Sequence, residues 1–328
     1  MYSRIKSFRL LVFLIVLSLA TSASIAQKKK KAPADKKAPS GTAVLWEPVD
    51  VERRDLFYGP GGDAMRPDLS KIEFIEEDKS GHNRKYKIKD AAGNIWVAKL
   101  GREAKPETAA VRILWGLGYK TEINFLVPSM TIPGKGSFTN VRLEARPANV
   151  KRLDPWKWRD NPFIGTDQLQ GLKIMMVFMT NWDLLDMQNK ILEVKTPGPN
   201  ELDYVISDLG ATFGKLGSNN LPIFFRLGRK TGDPKAWNKA GFIKGEKKGQ
   251  LQMAFKGKSR DLMKGITVGN GRWLATLLNR LSDEQIRSAF RAANYSQADI
   301  QTFTQAFRRR LNELNRFTGD TNLAENKR

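Results

Sequence analysis

The stretch IWVAKLGREAKPETAAVRILWGLG, residues 95–118, changes from one periodicity to another. Its first six residues, IWVAKL, read as a strand with Lys99 near its end. Pro106 then sits where the first turn of a helix tolerates a missing N–H. Glu107 to Leu117 carries apolar residues at helical spacing, and Gly118 stops the run. A strand thus delivers the chain into a helix, with Lys99 on the first and Glu107 on the second.

Upstream, IEFIEED (72–78) and KYKIKD (85–90) are short alternating runs separated by turns at Lys79-Ser80-Gly81 and Ala91-Ala92-Gly93-Asn94. Downstream, NFLVPSMTI (124–132) and FTNVRLEAR (138–146) read as further strands of the same small antiparallel sheet. The second half changes character. TDQLQGLKIMMVFMT (166–180) predicts a buried helix ending at Asn181, and KILEV and DYVISDL are extended runs around a Pro-Gly-Pro turn. The last hundred residues read as mainly helical, with capping-box starts at Ser282 with Gln285 and at Ser296 with Asp299. The predicted fold is α+β, with two lobes: a β-rich N-lobe with one helix over 42–148 and a mainly helical C-lobe over 149–328.

Ahead of these lobes, Arg4, Lys6 and Arg9 precede an apolar run from Leu10 to Leu19 and then small residues up to Ala26. That order reads as a secretory signal peptide over 1–26, too short in its apolar part for the ~18 residues of a membrane span. The alternative is an uncleaved anchor. KKKKAPADKKAP then reads as a disordered Lys/Ala/Pro tether over 27–41. The expected address is periplasmic or secreted, with no transmembrane segment after signal cleavage.

The chain has no cysteine, which excludes thiolate chemistry and disulfides, and one histidine, His82, in a turn-like DKSGHNR segment. A histidine-rich metal site or a Ser-His-Asp triad has little to draw on. Fifty-six Lys and Arg against 34 Asp and Glu give a formal charge of +22. Such a surface favours anionic partners, for an exported protein an anionic envelope polymer as readily as nucleic acid, and no common nucleic-acid motif is visible.

The polar residues that interrupt apolar segments fall in a telling order: Lys99, Glu107, Asp183 with Asp186 and Asn189, then Asp208. WVAKL, the helix bearing Glu107, NWDLLDMQN (181–189) and Ser207-Asp208-Leu209-Gly210 together resemble the working parts of a protein-kinase-like phosphotransferase. The resemblance is closest to atypical kinases of the HipA, phosphoinositide-kinase-like and secretory-pathway types, and covers residues 72–214. It implies ATP or another nucleotide held with Mg²⁺ or Mn²⁺ between the lobes. Lys99 would meet the non-transferred phosphates with Glu107 as its partner. Asn189 and Asp208 would hold the metal. Asp183, or as second choice Asp186, would be the catalytic carboxylate.

The sequence departs from the kinase pattern in three ways. The catalytic Asp and metal-binding Asn of kinases stand five apart, whereas Asp183 and Asn189 are six apart and Asp186 and Asn189 three. Asn181-Trp182 occupies the place of His-Arg in the HRD triplet, and no GxGxxG precedes Lys99. A catalytically inactive kinase-like scaffold is therefore the alternative reading. Two further segments stand out. DPWKWRDNPF (154–163) mixes aromatics with cations and reads as a packed loop. The basic run 226–258, interrupted by Trp237 and Phe242, reads as a solvated loop where an anionic acceptor would arrive.

Overall fold

A computed structural model describes residues 40–78, 84–216 and 229–319. The signal peptide, nearly all of the tether, the turn at 79–81 with His82, and residues 226–228 lie outside the described residues.

Five strands form one antiparallel sheet: β2 (Glu73–Asp78), β3 (Lys85–Lys89), β4 (Ile95–Lys99), β5 (Asn124–Ile132) and β6 (Gly136–Ala145), in the order β2-β3-β4-β6-β5. Alternation sorts their side chains. On β4, Trp96 and Ala98 are fully buried beside Ile88, Phe125 and Leu143 in a core that belongs to this sheet alone, which leaves Val97 and Lys99 on the opposite face. Trp96 keeps its indole N–H satisfied by donating to Asp90 Oδ2 at 2.9 Å.

Helix α1 (Ala104–Gly116) follows β4 directly, as the periodicity predicts, and begins three residues earlier than Glu107. Gly118 closes it at φ +95°. A Cβ there would lie 2.3 Å from Glu47 O, so only glycine fits. Ala109, Ile113 and Leu114 of α1, with Leu117 just past its end, join the larger core of the helical half, so the helix packs across both lobes.

That half contains a second sheet in which β7 (Val150–Arg152), β8 (Asn189–Val194) and β9 (Glu201–Ile206) pair antiparallel. β1 (Thr42–Val44) pairs parallel with β9, so residues 42–44, grouped by sequence with the N-lobe, sit on the edge of this second sheet. Nothing local in Thr-Ala-Val signals a partner some 160 residues away, because parallel pairing is a long-range event.

The helices are α2 (Asp167–Phe178), α3 (Pro234–Lys239), α4 (Val268–Asn279), α5 (Asp283–Ala292) and α6 (Gln297–Thr318). Ser282 forms the full reciprocal capping box with Gln285. Ser296 accepts from the Asp299 N–H, but the Asp299 carboxylate takes the Ser296 hydroxyl and not the cap's backbone N–H, so only half of that box forms.

Within the basic run, the described residues are ordered and not a solvated loop. They form α3 and the hairpin β10 (Ile243–Lys247) and β11 (Gln250–Met253), and Trp237 and Phe242 are fully buried. Two large aromatic side chains in a run otherwise rich in Lys and Gly suffice to pin it to the core. They join Phe178, Phe213, Phe290, Phe303 and Phe307 in an aromatic cluster where Phe290 and Phe303 stack at 4.3 Å. Trp156 and Trp158 of the 154–163 segment are likewise buried, edge to face at 4.9 Å.

Phe303 is fully buried and touches four aromatic rings, those of Phe213, Trp237, Phe290 and Tyr295. Phe303→Ala is expected to cost ~3–5 kcal/mol in urea unfolding, with Phe303→Leu costing well under half of that.

Candidate functional site

Lys99 leaves β4 on the face away from the sheet's own core and is almost completely buried. Its Nζ lies 2.9 Å from Glu107 Oε2 and 3.3 Å from Asp208 Oδ1, and Glu103 stands 3.9 Å away. Arg142, the cross-strand partner of Lys99 on β6, brings Nε to 3.1 Å from the same Glu107 oxygen. Burial works against the Lys99 ammonium, but Glu107 and Asp208 outweigh it and raise its pKa. Burial also pushes the Glu107 carboxyl up while Arg142 and Lys99 pull it down. Burial is the larger effect and leaves it raised, although two cations lie within 3.1 Å of one oxygen.

The ion pairs continue inward. Glu144 accepts from Arg142 at 2.8 Å, pairs with Arg146 and lies 3.3 Å from Arg152, which also pairs with Glu122. Burial alone would raise the Glu144 carboxyl, yet the three guanidiniums hold it well below the carboxylate range. Glu122, desolvated and repelled by the neighbouring Glu144 carboxylate, is pushed up to about 7.

The segment after α2 separates its three candidate residues. Asp183 lines the cleft. Its Oδ2 accepts from Gln188 Nε2 at 2.9 Å, and its Oδ1 forms an ion pair with Lys258 at 2.6 Å. Asp186 does not join it, because its Oδ1 accepts from the Trp158 N–H at 3.0 Å and fixes the neighbouring loop. Asn189 is also apart: it opens β8, is fully buried, and donates to Trp156 O at 3.0 Å. Adjacent strand residues face opposite ways, so Lys190 lines the cleft and Asn189 the interior.

Gln188, overlooked as a candidate, stands five residues after Asp183 and lines the cleft with it. The five-residue interval between the two kinase loop residues was the signal that could have found it. Lys258 had no such signal, lying 75 residues from Asp183.

These groups line one cleft of about 710 Å³. All but five of its lining residues are charged, the exceptions being Val97, Leu185, Met187, Gln188 and Ser207. Such a surface suits a phosphorylated ligand. Among the described residues no group of three or more His, Cys, Asp or Glu could by itself hold a metal ion. Asp208 and Gln188, the first about 40% exposed, fit a Mg²⁺ site that shares its ligands with substrate phosphates. A second cavity, about 440 Å³ and lined by Trp115, Tyr119, Leu192 and Asp203 among others, shares Arg146 and Arg152 with the cleft and contains none of the six candidate residues.

The antiparallel sheet of the first half, the mainly helical second half and the meeting of Lys99 with Glu107 and Asp208 make up the α+β arrangement that the sequence leads one to expect. Among solved structures, the chain is similar to the crystal structure of a Helicobacter pylori proinflammatory kinase, CtkA. Identity is 10% and the TM-score 0.44, over 77% of this chain and 95% of that one. No protein-family model and no curated protein matches the chain.

Glu107→Ala would leave Lys99 and Arg142 buried without their shared counter-charge. It is expected to cost ~3–5 kcal/mol in urea unfolding, against less than about 1 kcal/mol for Asp208→Ala at the open end of the network. Asp203, half-buried beside Glu201, is pushed up to about 7. A raised carboxyl contributes stability below its ordinary pKa of about 4 and loses it as pH climbs through about 7. Asp203→Asn is therefore expected to gain stability relative to wild type at pH 8 but not at pH 4, as read by urea midpoints.

Proposed function

We propose that the chain is an exported, kinase-like phosphotransferase that binds a nucleotide with Mg²⁺ or Mn²⁺ in the interlobe cleft and passes phosphate to a hydroxyl of a protein, glycan or lipid headgroup. The observation that carries this reading is the meeting of Lys99, Glu107 and Asp208. Glu107 and Asp208 come from separate segments and lie within 3.3 Å of the Lys99 ammonium, with Lys99 and Asp208 109 residues apart and both lining the same cleft as Asp183.

In this reading Lys99, held extended by Glu107, meets the non-transferred phosphates of ATP or another nucleotide. Asp208 and the Gln188 side-chain carbonyl oxygen would hold the metal, which would supply positive charge against the phosphates. Asp183 orients the acceptor hydroxyl and takes its proton as the new P–O bond forms and the bond to the departing diphosphate breaks. Asp186 and Asn189 shape the loop from behind. Export rests on residues 1–26 and requires a supply of the nucleotide where ATP is scarce. The +22 charge supports a second reading, an inactive kinase-like scaffold adhering to anionic envelope polymer.

Thermal unfolding with MgATP, MnATP and other nucleotides separates the two. A kinase-like phosphotransferase shows a rise in Tm that Asp208→Ala and Lys99→Ala abolish, together with metal-dependent autophosphorylation. No shift with any nucleotide, or an equal shift in Asp208→Ala, defeats it. The scaffold reading instead predicts polyanion binding that weakens steeply with salt.

A further inference from the structure

The segment 257–259 is fastened to both sides of Asp183. The Lys258 N–H donates to Trp182 O at 2.9 Å, and the Ser259 hydroxyl donates to Leu184 O at 2.7 Å. Gly257 is pressed so closely to the loop that a Cβ would lie 2.5 Å from Trp182 O and 2.7 Å from Trp182 Cα. Ser259 is held at φ +57°, a left-handed conformation uncommon for a residue with a side chain. Three successive residues are thus committed to setting one ammonium 2.6 Å from Asp183 Oδ1. The Lys258 side chain nevertheless remains 46% exposed and lines the cleft, so it is anchored through its backbone and free to turn at its tip.

Its neighbours leave it one task. Lys99 is occupied by Glu107 and Asp208, and Asp183 keeps Gln188 on its other oxygen when Lys258 leaves. An acceptor hydroxyl at Asp183 must stand within about 3–3.5 Å of the phosphorus it attacks, so an ammonium beside Asp183 is within reach of that group's oxygens. Those oxygens carry the charge that phosphoryl transfer redistributes, and a preplaced cation stabilises it without rearrangement.

We propose that Lys258 reads the terminal phosphoryl group: it neutralises Asp183 and passes to the γ-phosphate oxygens when a nucleoside triphosphate binds. This rests on the nucleotide-binding reading above and assigns the cleft a preference for triphosphate over diphosphate that resides in one side chain outside the catalytic loop.

Calorimetric titration of the full chain with MgADP and with the Mg²⁺ complex of a non-hydrolysable ATP analogue tests it. Lys258→Gln and Lys258→Met are expected to lose about tenfold in triphosphate affinity with diphosphate affinity within about twofold, while Lys258→Arg retains most of the difference. Equal losses for both ligands, or no loss for either, overturn the proposal. So does a lowered Tm with the affinity ratio unchanged, which would make Lys258 only a structural tie. If wild type binds neither ligand, the nucleotide-binding reading itself fails, an outcome distinct from an unchanged ratio.

Discussion

The geometry of the cleft depends on one buried ion pair, Lys99 with Glu107, shared by Arg142. Removing charges from water is costly, and attraction offsets that cost only when the partners are held in good geometry. Here the geometry demands three things together: β4 and β6 in the register that sets Lys99 opposite Arg142, and α1 placed so that Glu107 falls between them. A slip of one residue in β4 would turn Lys99 into the apolar core now filled by Trp96 and Ala98. Sheet register, helix position and site are therefore a single constraint.

From that pair a line of alternating charges runs through Glu144, Arg146 and Arg152 to Glu122, making the deep wall of the cleft ionic. An apolar wall would bind a flat ring by surface area. This wall favours ligands through charge and hydrogen bonds, and its carboxylates do not behave alike: Glu144 is held down by three guanidiniums while Glu122 is pushed up. Asp183 and Asp208 are each paired with a lysine, so the cleft carries its own counter-ions. A ligand bringing phosphate and metal replaces contacts of the same kind and does not have to create the field.

Residues whose roles are set by neighbours in sequence were legible from sequence. The β4-to-α1 passage carries Lys99 and Glu107 on two differing periodicities, and the Ser282 cap sits three residues before its partner. The loop after α2 was legible in place but not in detail. Asp183, Asp186 and Asn189 have similar chemistry and lie within seven residues, yet one lines the cleft, one ties a loop to Trp158 and one is buried under Trp156. Their directions depend on a short 3₁₀ turn and the start of β8, which composition does not encode. The basic run misled because charge count spoke louder than Trp237 and Phe242, whose burial was decided by the aromatic cluster waiting for them.

The sequence by itself determined the α+β class, the ordering of strand, helix, loop and strand, and the types of charge each would carry. Those follow from local periodicity and residue chemistry, which need no partner. Only the tertiary structure decided that β1 joins β9, that Gln188 faces the cleft where Asn189 does not, and that Lys258 meets Asp183. Each of these is a contact between distant segments or a choice between two faces of the chain. The free energy that settles it comes from burial and pairing formed only when the whole domain closes.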